Sequence, residues 1–119
     1  MKILELPITD LKRCWITSER GEFLVLINDV VILEADSNYT LLHLRNGRKM
    51  MTSKTLKFFE ELLENRGFYR VHHSYMINVS CLGNYIKKGG FLFMQNGFQI
   101  EVARRRRIEF ERSVWKKTA

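Results

Sequence analysis

Two Asn-Gly dipeptides, Asn46-Gly47 and Asn96-Gly97, stand in this chain between short apolar runs. Asn-Gly is the strongest short-range hairpin signal, because both residues accept the positive φ angles that a tight connection needs. Lys88-Gly89-Gly90 supplies a further turn. A chain cut this often has little room for long helices and must pair short strands with their sequence neighbours. Strand-length segments fit Cys14 to Ser18 and Phe23 to Ile27 (joined across Glu19-Arg20-Gly21-Glu22), Val31 to Ala35, Tyr39 to Leu44 and Lys49 to Thr52. Others fit Phe68 to His72, Leu82 to Lys87, Phe91 to Met94 and Phe98 to Val102. Asp36-Ser37-Asn38 separates two of them with side chains that bond their own backbone.

Between Thr55 and Asn65 the period changes. At about 100° per residue, Leu56, Phe58, Phe59, Leu62 and Leu63 fill one arc, and Lys57, Glu60, Glu61 and Glu64 fill the solvent face. Ser53 is placed to cap the first turn and Gly67 to close the last. Arg104 to Trp115 has helical potential, with Ile108, Val114 and Trp115 on one side. Residues 1–12, with Pro7 and little pattern, read as a lead-in or linker, and residues 13–117 as the domain. The expected fold class is mainly β, made of small antiparallel sheets with one amphipathic helix and a short basic C-terminal helix.

With 119 residues, 45% of them apolar, the chain is long enough to bury a core without staples. A formal net charge of +7 points to an anionic partner, nucleic acid or a membrane surface. Cys14 and Cys81 form no CxxC pair and lie among apolar residues, so they read as buried free thiols in a reducing cytosol. No apolar run approaches a membrane span, and Met1 is not followed by a signal peptide's apolar stretch; a cytoplasmic location is expected.

Polar chemistry concentrates in two places, Phe68 to Asn78 and Arg104-Arg105-Arg106-Arg107. Strand-like sequence between them suggests one surface built from two loops. His72 and His73 point to opposite faces of an extended strand, and His43, Cys14 and Cys81 are isolated, so metal spacing is missing. No cofactor is expected. Ser74 beside His73 is not a nucleophile–base pair, and no G-x-S-x-G turn or phosphate-binding glycine loop is present, which argues against an enzyme. Four arginines at a helix start disfavour the macrodipole by about 0.3–1 kcal/mol per exposed charge, a penalty that a docked phosphate would reverse. Consecutive helical residues fan through about 300°, so one or two arginines are expected to meet nucleic acid. The others are left for packing or for ion pairs with Glu109 or Glu111. Asn38, His73 and Arg105 suit base edges. Lys54, Arg70, His72, Ser74, Asn78, Arg104 and Arg106 suit phosphates. Tyr75, Val71, Ile77, Leu82 and Phe91 are assigned to the core.

With these residues in place, the chain resembles the LytTR DNA-binding domain, an output module of bacterial two-component response regulators. The matching pieces are Ile32 to Thr40, Ser53-Lys54-Thr55-Leu56, the pattern Phe68-x-Arg70-x-His72-x-Ser74-Tyr75-x-Ile77-Asn78, and Val102-Ala103-Arg104-Arg105. In order and spacing they run from about Arg13 to Trp115. The resemblance implies an elongated set of small sheets whose loops enter successive major grooves of a bent duplex. It places the base-reading loops at Asp36 to Tyr39, at His73 and at Arg105, and so adds Tyr39 to the base contacts. It also implies transcriptional regulation on direct repeats bound by two copies. Ala103 stands where the family often has Ser, so a hydroxyl contact to phosphate is missing. These 119 residues have no room for a receiver domain, which leaves a stand-alone regulator or a fragment of a longer one. An upstream receiver domain and a small membrane inhibitor protein are the regulatory partners that the resemblance implies. The competing reading is a basic protein- or membrane-interaction module without DNA sequence preference.

Overall fold

Eleven strands form three antiparallel sheets in the computed structural model, which describes residues 2–5, 13–18, 21–63 and 65–116 and side chains from Val25 onward. The strands are β1 (Lys2–Glu5), β2 (Arg13–Ser18), β3 (Gly21–Leu26), β4 (Val30–Asp36), β5 (Tyr39–Leu44) and β6 (Lys49–Thr52). After helix α1 (Leu56–Leu63) follow β7 (Phe68–His72), β8 (Tyr75–Asn78), β9 (Leu82–Ile86), β10 (Phe91–Met94) and β11 (Gln99–Glu101). The last segment is helical throughout: a 3-10 turn at Arg104–Arg106, helix α2 at Arg107–Phe110 and a π turn at Glu111–Trp115. The sheets run β1-β2-β3, β6-β5-β4-β8-β7 and β11-β10-β9, and the described residues extend over 43 × 29 × 25 Å.

The Asn-Gly signals mark real hairpins. At β5–β6, Gly47 takes φ +85°, its N–H donates to Leu44 O (3.0 Å), and Arg48 N donates to Asn46 Oδ1 (2.9 Å). The β10–β11 connection repeats this at Gly97, with Phe98 N donating to Asn96 Oδ1 (3.0 Å). A Cβ at either glycine would meet nothing within 4 Å, so backbone conformation and not space is the constraint.

The five-stranded sheet is buried on both faces, which is why Val30-Val31-Ile32-Leu33 reads as a continuous apolar run. On one face Val30, Leu33, Leu42, Phe68 and Met76 pack with Leu56, Phe59 and Leu63 of α1 and with Val25 of β3. On the other, Ile32, Val71 and Ile77 pack with Leu82, Tyr85, Leu92 and Ile100 of the third sheet and with Phe110 and Val114. Burying each such side chain contributes about 1.5–3 kcal/mol. A bulge between Val30 and Ile32 breaks the alternation and lets neighbouring residues serve the same face.

Several elements depart from the sequence reading. Lys2–Glu5, read as lead-in, is a strand paired with β2 through Lys2↔Thr17 to Glu5↔Cys14. Tyr75–Asn78 is a strand that the polar cluster concealed. Ile27 belongs to a 3-10 turn, not to β3, and Phe98 and Val102 lie outside β11. At the start of helix α1, Thr55 Oγ1 accepts from Phe58 N at 3.2 Å. Asn65 takes a left-handed φ of 63° beyond the helix end, ahead of Gly67. Ile108, grouped on one side with Val114 and Trp115, is 66% exposed whereas Val114 is buried, and Phe110 is the buried anchor. Tyr75 and Phe91 are only half-buried, while Val71, Ile77 and Leu82 fill the core as expected.

Candidate nucleic-acid interface

Three connections meet at one end of the five-stranded sheet. Pairing of β4 with β5 ends at Asp36↔Tyr39, and pairing of β4 with β8 ends at Glu34↔Tyr75, so the β4–β5 and β7–β8 turns lie side by side. Ala35 N donates to Ser74 O (2.8 Å) and ties them together. The third connection, Val102 to Arg106, is held from the opposite flank, where Ala103 N donates to Val71 O (2.8 Å). Lys54 joins the same end because Thr40 Oγ1 donates to Lys54 O (2.7 Å). Its ammonium stands 5.1 Å from the centre of the Phe58 ring.

In the first turn Ser37 adopts φ 54°, and Asn38 and Tyr39 project outward, the tyrosine 47% exposed. In the second, Ser74 N donates to His72 Nδ1 (3.0 Å), which leaves Nε2 as the ring's available donor, and His73 is exposed. In the third, Arg106 N donates to Ala103 O (2.8 Å), and Arg104 and Arg105 are exposed. The imidazole of His73 and the guanidinium of Arg105 thus emerge from adjacent connections, neither walled into the interior.

Three residues expected at phosphates, Asn78, Arg70 and Arg106, have partners inside the domain. Asn78 is 2% exposed; its amide donates to Val30 O (2.9 Å) and its Oδ1 accepts from Ser80 N (3.0 Å). An amide so engaged has no surface to offer a phosphate. Arg70, with its side chain 13% exposed, donates to the carbonyls of His72 (Nε, 3.3 Å) and His73 (Nη2) and to Glu60 Oε1 (Nη1, 3.1 Å). It braces the β7–β8 turn from behind. Glu60 is therefore an ion-pair partner and not part of a purely solvated face. Arg106 is half-buried, with Nη1 donating to Arg70 O (3.4 Å) and Nε buried without an acceptor among the described residues.

Behind the loops, Lys57, Glu60, Tyr69, Arg70, Arg106 and Glu109 line a cleft of about 270 Å³ between α1 and the C-terminal helix. Burial pushes the Tyr69 phenol above its ordinary range, with the charge of Glu109 adding and Arg106 opposing. The ion pairs expected within the basic run differ too. Arg107 Nη2 meets Glu101 (3.5 Å), whereas Glu111 accepts from Tyr85 (2.7 Å) and pairs with Lys87 (3.6 Å). Residue types alone gave no hint of the partly buried His43–Glu34 contact (2.8 Å), to which Tyr75 adds a hydroxyl at 3.4 Å from Glu34. No group of three or more His, Cys, Asp or Glu residues is arranged to hold a metal ion among the described residues, and none of their helices is long and apolar enough to cross a membrane.

The scaffold is β-rich and offers clustered turns at a cationic end, and no pair of helices forms a helix-turn-helix among the described residues. The chain belongs to the LytTR DNA-binding domain family, whose model matches residues 21–115. Its fold is similar to that of the LytTr DNA-binding domain of a Bacillus cereus protein described as a methyl-accepting/DNA response regulator. That likeness has a TM-score of 0.74 at 23% identity, over 85% of this chain and 94% of the other. A comparison with curated proteins found no match. The family is one of DNA binding in transcription regulation, not of catalysis.

Proposed function

We propose that this domain binds duplex DNA sequence-specifically, through the three joined connections, and controls transcription from direct repeats occupied by two copies. Asn38, Tyr39, His73 and Arg105 meet base edges in successive major grooves. Lys54, His72, Ser74 and Arg104 meet phosphates and set the register. Arg70 and Asn78 shape the surface from within, and Arg106 ties the third connection to the second. Because the loops stand on separate connections, following the groove favours a bent duplex, so deformability enters the recognition.

The observation that supports this reading best is the tie from Ala35 to Ser74 and from Ala103 to Val71, which holds three exposed polar turns in fixed relation without a recognition helix. Preorganised turns lose little entropy on docking, which favours affinity. The test uses DNA selected from a random pool and a scrambled duplex in gel-shift titrations. Arg105→Ala is expected to weaken selected-site binding by about 1–3 kcal/mol and to spare the scrambled duplex, whereas Arg104→Ala weakens both alike. Equal losses on both duplexes for Arg105→Ala would remove that residue from base reading.

A further inference from the structure

Four large apolar side chains are exposed among the described residues (Leu26, Tyr39, Ile86 and Ile108), and Ile108 is the most exposed at 66%. A single exposed isoleucine needs no explanation by itself. Its position does. The backbone is helical from Arg104 to Trp115, so residues three and four apart share a face. Arg104 and Arg105 lie one turn before Ile108 and Arg112 one turn after, and all three arginines are exposed. Phe110 and Val114 hold the buried side of the same segment. The neighbouring carboxylate, Glu109, is drawn toward the Tyr69 hydroxyl. Ile108 is thus an apolar group set into a cationic stripe.

A duplex suits that stripe in both respects. Its phosphates match the arginines, and its major groove displays one apolar group, the thymine C5-methyl. We propose that Ile108 reads a thymine methyl next to the base edge met by Arg105. One helical turn advances about 5.4 Å. Base pairs are spaced about 3.4 Å apart, so the thymine lies one or two steps from the Arg105 contact. This inference rests on the DNA-reading proposal above.

The experiment replaces each thymine of the selected duplex in turn by deoxyuridine, which removes only the methyl, and titrates the wild-type domain and Ile108→Ala. One replacement is expected to weaken wild-type binding about fourfold, the effect of one buried methyl-sized group. The same replacement leaves Ile108→Ala binding unchanged. Because the side chain is exposed, the variant should keep the wild-type melting temperature. The inference is overturned if wild type is indifferent to every replacement, or if Ile108→Ala weakens all duplexes without coupling to any one. It is also overturned if Ile108→Ala instead abolishes binding to anionic vesicles while leaving DNA affinity intact. Failure to prefer selected over scrambled DNA would defeat the DNA-reading proposal itself, a result distinct from these.

Discussion

Replacing Arg70 by alanine separates a brace from a phosphate contact. The guanidinium donates to the carbonyls of His72 and His73 and to the Glu60 carboxylate. The Glu60 pair is worth about 0–1 kcal/mol, because that carboxylate is more than one-third exposed. Hydrogen bonds from a charged donor contribute about 1.5–3 kcal/mol each, and the lower end applies to these two at the protein surface. About 3 kcal/mol of order in the β7–β8 turn is therefore at stake. If docking must restore that order, affinity for the selected duplex falls by up to about one hundredfold. Scrambled DNA, which needs no particular turn geometry, is bound nearly as before. Arg70→Lys does not rescue, since an ammonium cannot span three acceptors as a planar fork does. The assay is fluorescence anisotropy on both duplexes over a salt series, with circular dichroism to confirm folding. An Arg70→Ala salt slope lowered by about 0.9, with equal losses on both duplexes, would refute the reasoning and return Arg70 to the phosphate backbone.

Asn78→Ala is expected to cost about 1–3 kcal/mol of stability in urea unfolding, because Val30 O and Ser80 N lose a buried partner. Its salt slope on DNA should stay at the wild-type value; a lowered slope would mean that the amide reaches phosphate after all. The pH dependence of stability should carry the mark of Tyr85. Burial, then the hydrogen bond to Glu111 and its charge, push the Tyr85 phenol up to about 12 against the opposing charge of Arg107. A folded-state value above the ordinary 10.0 means stabilisation that is complete below pH 10 and lost as pH rises toward 12. Tyr85→Phe should therefore flatten part of the alkaline decline in melting temperature over that window. An unchanged decline would remove Tyr85 from the account.

What the sequence revealed was local. The Asn46-Gly47 and Asn96-Gly97 turns and the arc from Leu56 to Leu63 depend on neighbours within one or two turns, and all three formed. Strand β8 was hidden because Tyr75-Met76-Ile77-Asn78 is short and buried on both faces, which erases polar alternation. Lys2–Glu5 acquires its meaning from β2, across sequence without pattern. Grouping Ile108 with Val114 ignores that six steps of about 100° set them roughly 120° apart, while two such steps put Ile108 nearly opposite buried Phe110. Arg70 and Asn78 looked like surface groups until their partners were known. Glu60, Asn28 and Val30 lie 10 to 50 residues away, and no spacing rule announces them. The exposed set, Asn38, Tyr39, His73, Arg104 and Arg105, was legible because turn residues stay at the surface wherever the strands pack.

Guanine N7 methylation interference on the selected duplex addresses base reading most directly, since a methyl there blocks a major-groove contact and leaves phosphates untouched. The account predicts interfering guanines on one face of the duplex in successive major grooves. It also predicts that Arg105→Ala loses sensitivity at one guanine alone. Binding indifferent to N7 methylation throughout, or an interference pattern that Arg105→Ala leaves intact, would contradict it.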